Sequence, residues 1–124
     1  MKPELNIRKL AIENLAFRKV IQTGKSSQLV LMSIPRDESI GEEIHPQTDQ
    51  LFFIVEGKGE AIIENKPTIL EEGQVLFVPA GVRHDIKNAL KGRDLKLFTL
   101  YTPPIHPDGL VQQAHETLVS KKAY

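Results

Sequence analysis

Apolar residues in this chain come in short runs cut by turn residues, with no sustained helical period until the end. Phe17–Gln22 runs into Thr23-Gly24-Lys25-Ser26-Ser27, and Gln28–Ile34 into Pro35-Arg36-Asp37-Glu38. Leu51–Glu56 stops at Gly57-Lys58-Gly59, and Glu60–Glu64 at Asn65-Lys66-Pro67. Thr68–Leu70, Val75–Val78, Asp85–Lys87 and Leu95–Tyr101 repeat the rhythm. Many short strands at regular spacing predict an antiparallel sandwich or barrel. Residues 1–14 are polar with scattered leucine and isoleucine, which predicts an irregular arm or a short helical turn. Leu110, Val111, Ala114 and Leu118 fall on one face of a helix, so Leu110–Lys121 is expected to be a C-terminal helix packed on the barrel.

One run breaks the usual alternation. In Leu51–Val55 the residues are apolar on both faces. A strand buried on both sides needs cover on its outer face. That cover is either another part of this chain, such as the N-terminal arm, or a second copy across a two-fold axis.

The 124 residues suffice for one domain, 1–124, with a real core. Sixteen basic residues balance sixteen acidic ones, which argues against nucleic-acid binding. With no cysteine there is no disulfide framework and no thiolate metal site. The longest apolar runs fall far short of the roughly 20 residues that span a bilayer. The opening Met1-Lys2-Pro3-Glu4 lacks the apolar core of a signal peptide, so the expected location is cytoplasmic.

The chemistry gathers at two corners. Gly73–Asn88 reads as a turn, an apolar strand, a second turn at Pro79-Ala80-Gly81, and then His84 just past that rigid corner. Proline cannot donate to a ladder and glycine supplies a positive φ, so the corner is sharp and aims the imidazole reproducibly. A positioned imidazole is the commonest metal ligand and a common acid–base group. Side chains at i and i+2 of a strand share a face. Glu43 and His45 therefore point one way with Ile44 opposite, and Gln50 opens the next strand in phase with Phe52 and Ile54. The two imidazoles, one carboxylate and one amide oxygen form a candidate donor set.

These residues carry a family resemblance. Gly73–Asn88 has glycine, five residues, proline, one residue, glycine, two residues, histidine, three residues and asparagine, which resembles the second motif of the cupin superfamily. The first cupin motif is histidine, one residue, histidine, three or four residues, glutamate, six residues, glycine. Gly57 lies seven positions after Gln50, so Gln50 stands at the glutamate position, His45 at the second histidine and Glu43 at the first. The motifs cover residues 43–88, and the ending Leu100–Gly109 is similar to small single-domain cupins labelled mannose-6-phosphate-isomerase-like. The resemblance implies an all-β double-stranded β-helix, a jelly-roll barrel of the RmlC-like kind. It also implies a homodimer and a divalent transition metal in the barrel mouth, held by Glu43, His45, Gln50 and His84.

Here carboxylate and neutral ligand have traded places relative to the family pattern, and the donor set still sums to one negative charge. Nitrogen and oxygen donors of this kind suit manganese, iron, nickel, cobalt or zinc. Expected functions are isomerisation or oxygenation of a small polar, sugar-like or carbonyl molecule, or non-catalytic small-ligand binding. His106, in the turn Ile105–Gly109, and Tyr101, ending the last strand, are the candidate catalytic residues. Their alternatives are a solvated loop histidine and a barrel-rim tyrosine. Arg18 is read as a surface cation, Arg83 as pointing outward, His115 as a surface residue, Asp49 as holding a turn and Asn88 as structural.

Overall fold

In the computed structural model residues 3–114 are described, and they form one barrel of two antiparallel sheets. The elements are α1 (Ile7–Glu13), β1 (Arg18–Thr23), β2 (Gln28–Ile34), β3 (Asp49–Glu56), β4 (Gly59–Ile63), β5 (Lys66–Leu70), β6 (Val75–Val78), β7 (His84–Asn88), β8 (Leu95–Thr102) and β9 (Val111–Gln112). The large sheet runs β6-β3-β8-β2-β1-β9 and the small one β5-β4-β7. The antiparallel barrel is what the strand rhythm predicts and the jelly roll what the resemblance implies, with most element bounds within one or two residues of those expected.

The apolar alternation builds the interior. Val30, Met32 and Ile34 of β2, Phe52 and Ile54 of β3, Ile86 of β7, and Leu95 and Leu97 of β8 are all buried in one cluster. Register holds them in layers: Ile34 pairs with Leu95, and Ile54 with Leu97. Gly57, at φ +104°, turns the chain between β3 and β4, where a Cβ would stand 3.3 Å from the Asp94 carbonyl oxygen. That close approach and positive φ suit only glycine.

The outer face of β3 is covered by this chain itself. Ala11 of α1 is buried against Leu31 and Val55, with Ile7, Leu10, Phe53 and Phe98 packed around them. Asn6 caps α1 by accepting from the Lys9 amide. At the other end Lys96 donates from Nζ to the Asn14 carbonyl at 2.6 Å and to Ser33 Oγ at 2.9 Å, so the arm is anchored by a buried cation. Leu51 is only half buried, and Val75 and Phe77 of β6 beside it are exposed.

The tail departs from expectation within the described residues. Leu110 does not start a helix. The Val20 amide donates to its carbonyl at 2.9 Å, and Val111–Gln112 pair antiparallel with Arg18 and Lys19 as an edge strand. Strand pairing satisfies the backbone there, and Arg18 NH1 donates to Gln112 Oε1 at 2.8 Å. Gln113 and Ala114 are not helical either, and residues 115–121 of the expected helix, with His115, lie outside the described residues. Among the described residues, no helix is long and apolar enough to cross a membrane.

Candidate metal centre

Two backbone hydrogen bonds bring the corners together. The Glu43 amide donates to the His84 carbonyl at 2.8 Å, and the His84 amide to the Glu43 carbonyl at 3.0 Å. Residues directly opposite in such a bridge share a face, so both side chains enter the same chamber. His45 follows two residues on, its carbonyl accepting from the Gly81 amide at 2.8 Å. Gly81 adopts φ +85°, the positive value that the Pro79-Ala80-Gly81 turn predicts. The donor atoms of Glu43, His45 and His84 all lie within 4.8 Å of one another. His45 Nε2 is 3.3 Å from Glu43 Oε1, and the two imidazole centroids are 5.4 Å apart.

Local bonds aim each group. His84 Nδ1 lies 3.0 Å from the Val82 carbonyl oxygen, which can only accept. Nδ1 therefore carries the hydrogen, and Nε2 presents a lone pair. That Nε2 is buried with no hydrogen-bond partner. Gln50 donates from Nε2 to Thr99 Oγ1 at 2.9 Å, leaving its buried Oε1 equally without a hydrogen-bond partner. Buried polar atoms are usually satisfied, so two orphaned acceptors at one end of a barrel need an explanation. A divalent cation supplies one, because it needs lone pairs rather than donors. The nitrogen and oxygen atoms present fit such an ion.

The residue that sequence reasoning misplaced is Arg18. It is not a surface cation but 2 % exposed, with NH2 3.6 Å from Glu43 Oε2. It lies in phase with Val20, so strict alternation along β1 puts it indoors, a signal present in the sequence. The formal negative charge of the donor set is thus balanced by an internal cation. Burial by itself would raise the Glu43 pKa, but the hydrogen bond with His45 and the positive charge of Arg18 hold the carboxyl below its ordinary value. For His84, burial outweighs the Val82 bond and the Glu43 charge, and lowers the pKa. Its imidazole is therefore kept in the neutral, ligating form.

Tyr101 and His106 stand against the same chamber. Tyr101 is 1 % exposed, and its ring meets His45 edge-on at 5.8 Å and His106 at 4.8 Å. Arg18 and the Gln50 amide lie within hydrogen-bonding reach of its hydroxyl, while burial pushes its pKa well up. It is an interior residue, not a rim tyrosine. His106 is likewise no solvated loop residue. Gln28 accepts from the His106 amide at 3.0 Å with Oε1 and donates to its carbonyl at 2.9 Å with Nε2, drawing the turn inward. Burial, with the Arg18 charge, pushes the His106 pKa down to about 3.

The remaining expectations fall where alternation puts them. Arg83 turns outward to Glu42 at 3.8 Å. Asp49 accepts from the Ala80 amide at 2.9 Å, holding the second corner. Asn88 is structural, donating to the Ile34 and Arg93 carbonyls.

Comparison with known proteins agrees with this geometry. The Cupin domain family model matches residues 30–101. The chain is 42% identical over 108 residues to protein L612 of Acanthamoeba polyphaga mimivirus, covering 85% of this chain and 68% of that protein. It is 37% identical over 119 residues to protein YrkC of Bacillus subtilis (strain 168), covering 91% of this chain and 62% of YrkC, so it spans under two thirds of that relative. Among solved structures, BH2720 from Bacillus halodurans matches with a TM-score of 0.86 at 36% identity, over 90% of this chain and 89% of that one.

Proposed function

The chain belongs to the cupin family, and on that premise we propose that Glu43, His45 and His84 hold a divalent transition metal, with the Gln50 amide oxygen as a weak fourth donor. The centre acts on a small oxygen-bearing molecule by isomerisation or oxygenation. The observation that carries this reading is the buried, unpartnered Nε2 of His84 facing the carboxylate and imidazole of its neighbours.

When bound, manganese, iron, nickel, cobalt or zinc supplies a Lewis acid that polarises a carbonyl or enediolate oxygen. The protein's own groups do the rest. Glu43 is the anionic donor; Arg18 engages Oε2 and leaves Oε1 toward the imidazoles, so Arg18 is a positioning residue. Gln50 donates its amide nitrogen to Thr99, which leaves its buried oxygen as the atom we assign to the fourth donor place. A weakly held amide oxygen is a donor that substrate can displace, and catalytic sites keep such a place open. Tyr101 and His106 are the proposed catalytic residues. With its raised pKa, Tyr101 keeps its proton and donates a hydrogen bond to a developing oxyanion. His106 remains neutral near pH 7 and accepts or donates a hydrogen bond without adding charge.

Metal analysis of protein purified without added metal tests the centre. About one equivalent is expected, with affinity falling by more than about 100-fold in His84→Ala, beyond what loss of a supporting group costs. Glu43→Gln should weaken binding strongly, whereas Gln50→Glu should preserve or tighten it. Sub-stoichiometric metal that His84→Ala leaves unchanged would sink the proposal. A second reading, a non-catalytic ligand-binding module, draws support from the Arg18–Glu43 pair, which balances the carboxylate charge without an ion. It predicts ligand binding with no oxygen uptake and no carbonyl isomerisation.

A further inference from the structure

A cleft of about 420 Å³ lies beside the triad. Ile44, Pro46 and Thr48 form one wall; Pro103, Pro104 and Ile105 form the other. The Thr48 hydroxyl donates to the Pro103 carbonyl at 3.2 Å and ties the two walls together. His45 lines the cleft and also belongs to the triad, so the cleft adjoins the donor set at that residue. Strand alternation explains the division. Glu43 and His45 turn inward, while Ile44 between them is 48% exposed and faces the cleft instead.

The chemistry of the walls is selective. Besides His45, only Gln47 and Thr48 offer polar side chains, and the Thr48 hydroxyl is already engaged. A polyhydroxylated sugar would find few side-chain partners for its many hydroxyls here, and unmatched polar burial is costly. Three proline rings and two isoleucines instead present rigid apolar faces. The volume falls in the range of small-molecule sites, which are mostly apolar with a few placed polar groups.

We propose that this cleft binds the body of the substrate, and that the substrate is a flat, largely apolar ring compound bearing an enol, phenol or quinone oxygen. The oxygen lies at the His45 end, and the ring lies between Ile44 and the Pro103–Ile105 wall. This deepens the proposed function and rests on it, choosing a conjugated ring over a sugar-like molecule.

Calorimetric titration of the metal-free and metal-loaded protein with lawsone, a hydroxynaphthoquinone, and with glucose tests the inference. Lawsone should bind and glucose should not. Ile44→Asp, at a half-exposed position that tolerates a charge, should weaken lawsone at least about tenfold, since a carboxylate against an apolar ring must lose hydration. Ile105→Ala should weaken it about threefold through lost contact area. Ile69→Asp, an exposed isoleucine on the other sheet, should leave binding unchanged and so exclude general hydrophobic adsorption. No lawsone binding, equal binding by wild type and Ile44→Asp, or tighter binding of glucose would overturn the assignment. Failure of the metal centre reads differently: metal titrations stay flat while lawsone binding to the metal-free protein still depends on Ile44, which upholds the cleft alone.

Discussion

The two ends of the barrel interior obey the same alternation and hold opposite chemistry. On β8 the inward residues Leu95 and Leu97 are followed by Thr99 and Tyr101. On β3, Ile54 and Phe52 give way to Gln50; on β7, Ile86 to His84; on β2, Ile34, Met32 and Val30 to Gln28. Register aligns these switches, since Gln50 and Gln28 both pair with Tyr101. Phe52 marks the join, its ring 5.8 Å from that of His84. One end closes by packing alone. The other must match each donor with an acceptor, and it leaves acceptors over at His84 and Gln50. Period two decides which residues are inside; it does not decide what they cost there. The polar end gives up stability that the apolar end supplies, as functional sites commonly do.

The sharpest way to break this division is at the apolar end. Leu97→Ala should cost roughly 3 kcal/mol in denaturant unfolding, through lost transfer energy and a residual cavity. Metal stoichiometry should not change. A Leu97→Ala protein that folds but no longer binds metal would show that the ends are not separable.

Acid should strike the polar end next. His84 and His106 have folded-state pKa values below the ordinary 6.5, so both are neutral when folded, and the unfolded chain takes up their protons first. Their contribution is present above pH 6.5 and is lost as pH falls below it. For His106, depressed to about 3, the loss between pH 7 and 5 is about 2 kcal/mol. Glu43, also depressed, adds to the decline only below its ordinary value of 4.5. Unfolding of metal-free protein across this range should follow that slope, and His106→Gln should flatten it. An unchanged slope in that variant would mean that His106 is not buried as a neutral ring.

The smallest expected effect concerns the clamp on the last turn. Gln28→Ala removes three hydrogen bonds to Ile105 and His106 and should cost about 1–2 kcal/mol. Release of the turn should also carry the His106 pKa back up toward its ordinary value, measurable by NMR titration. A His106 pKa that stays low would place the cause elsewhere than in this clamp.

Much of this was legible beforehand. Gly73–Asn88 carries its turn and its ligand within sixteen contiguous residues, where local backbone rules act. Glu43, His45 and Gln50 follow from alternation across a single turn. Arg18 was legible in principle, being in phase with Val20, but a lone arginine is expected outdoors unless a buried carboxylate is known to face it. His106 was harder still. Its burial depends on Gln28, 78 residues away, reaching the backbone of the turn. Leu110–Gln112 shows the same limit: an amphipathic pattern suited a helix, yet a free edge on β1 offered ladder bonds that its local sequence does not reveal.

By itself, then, the sequence determined the succession of apolar runs along the chain, the two corners and the donor types they present, because these depend on residues within a few positions of one another. Only the tertiary structure decided that Arg18 neutralises Glu43, that Gln28 turns His106 indoors, that α1 covers β3, and that an apolar cleft adjoins His45. Each of those facts joins segments distant in the chain, and the closing of the barrel is what sets the distances between them.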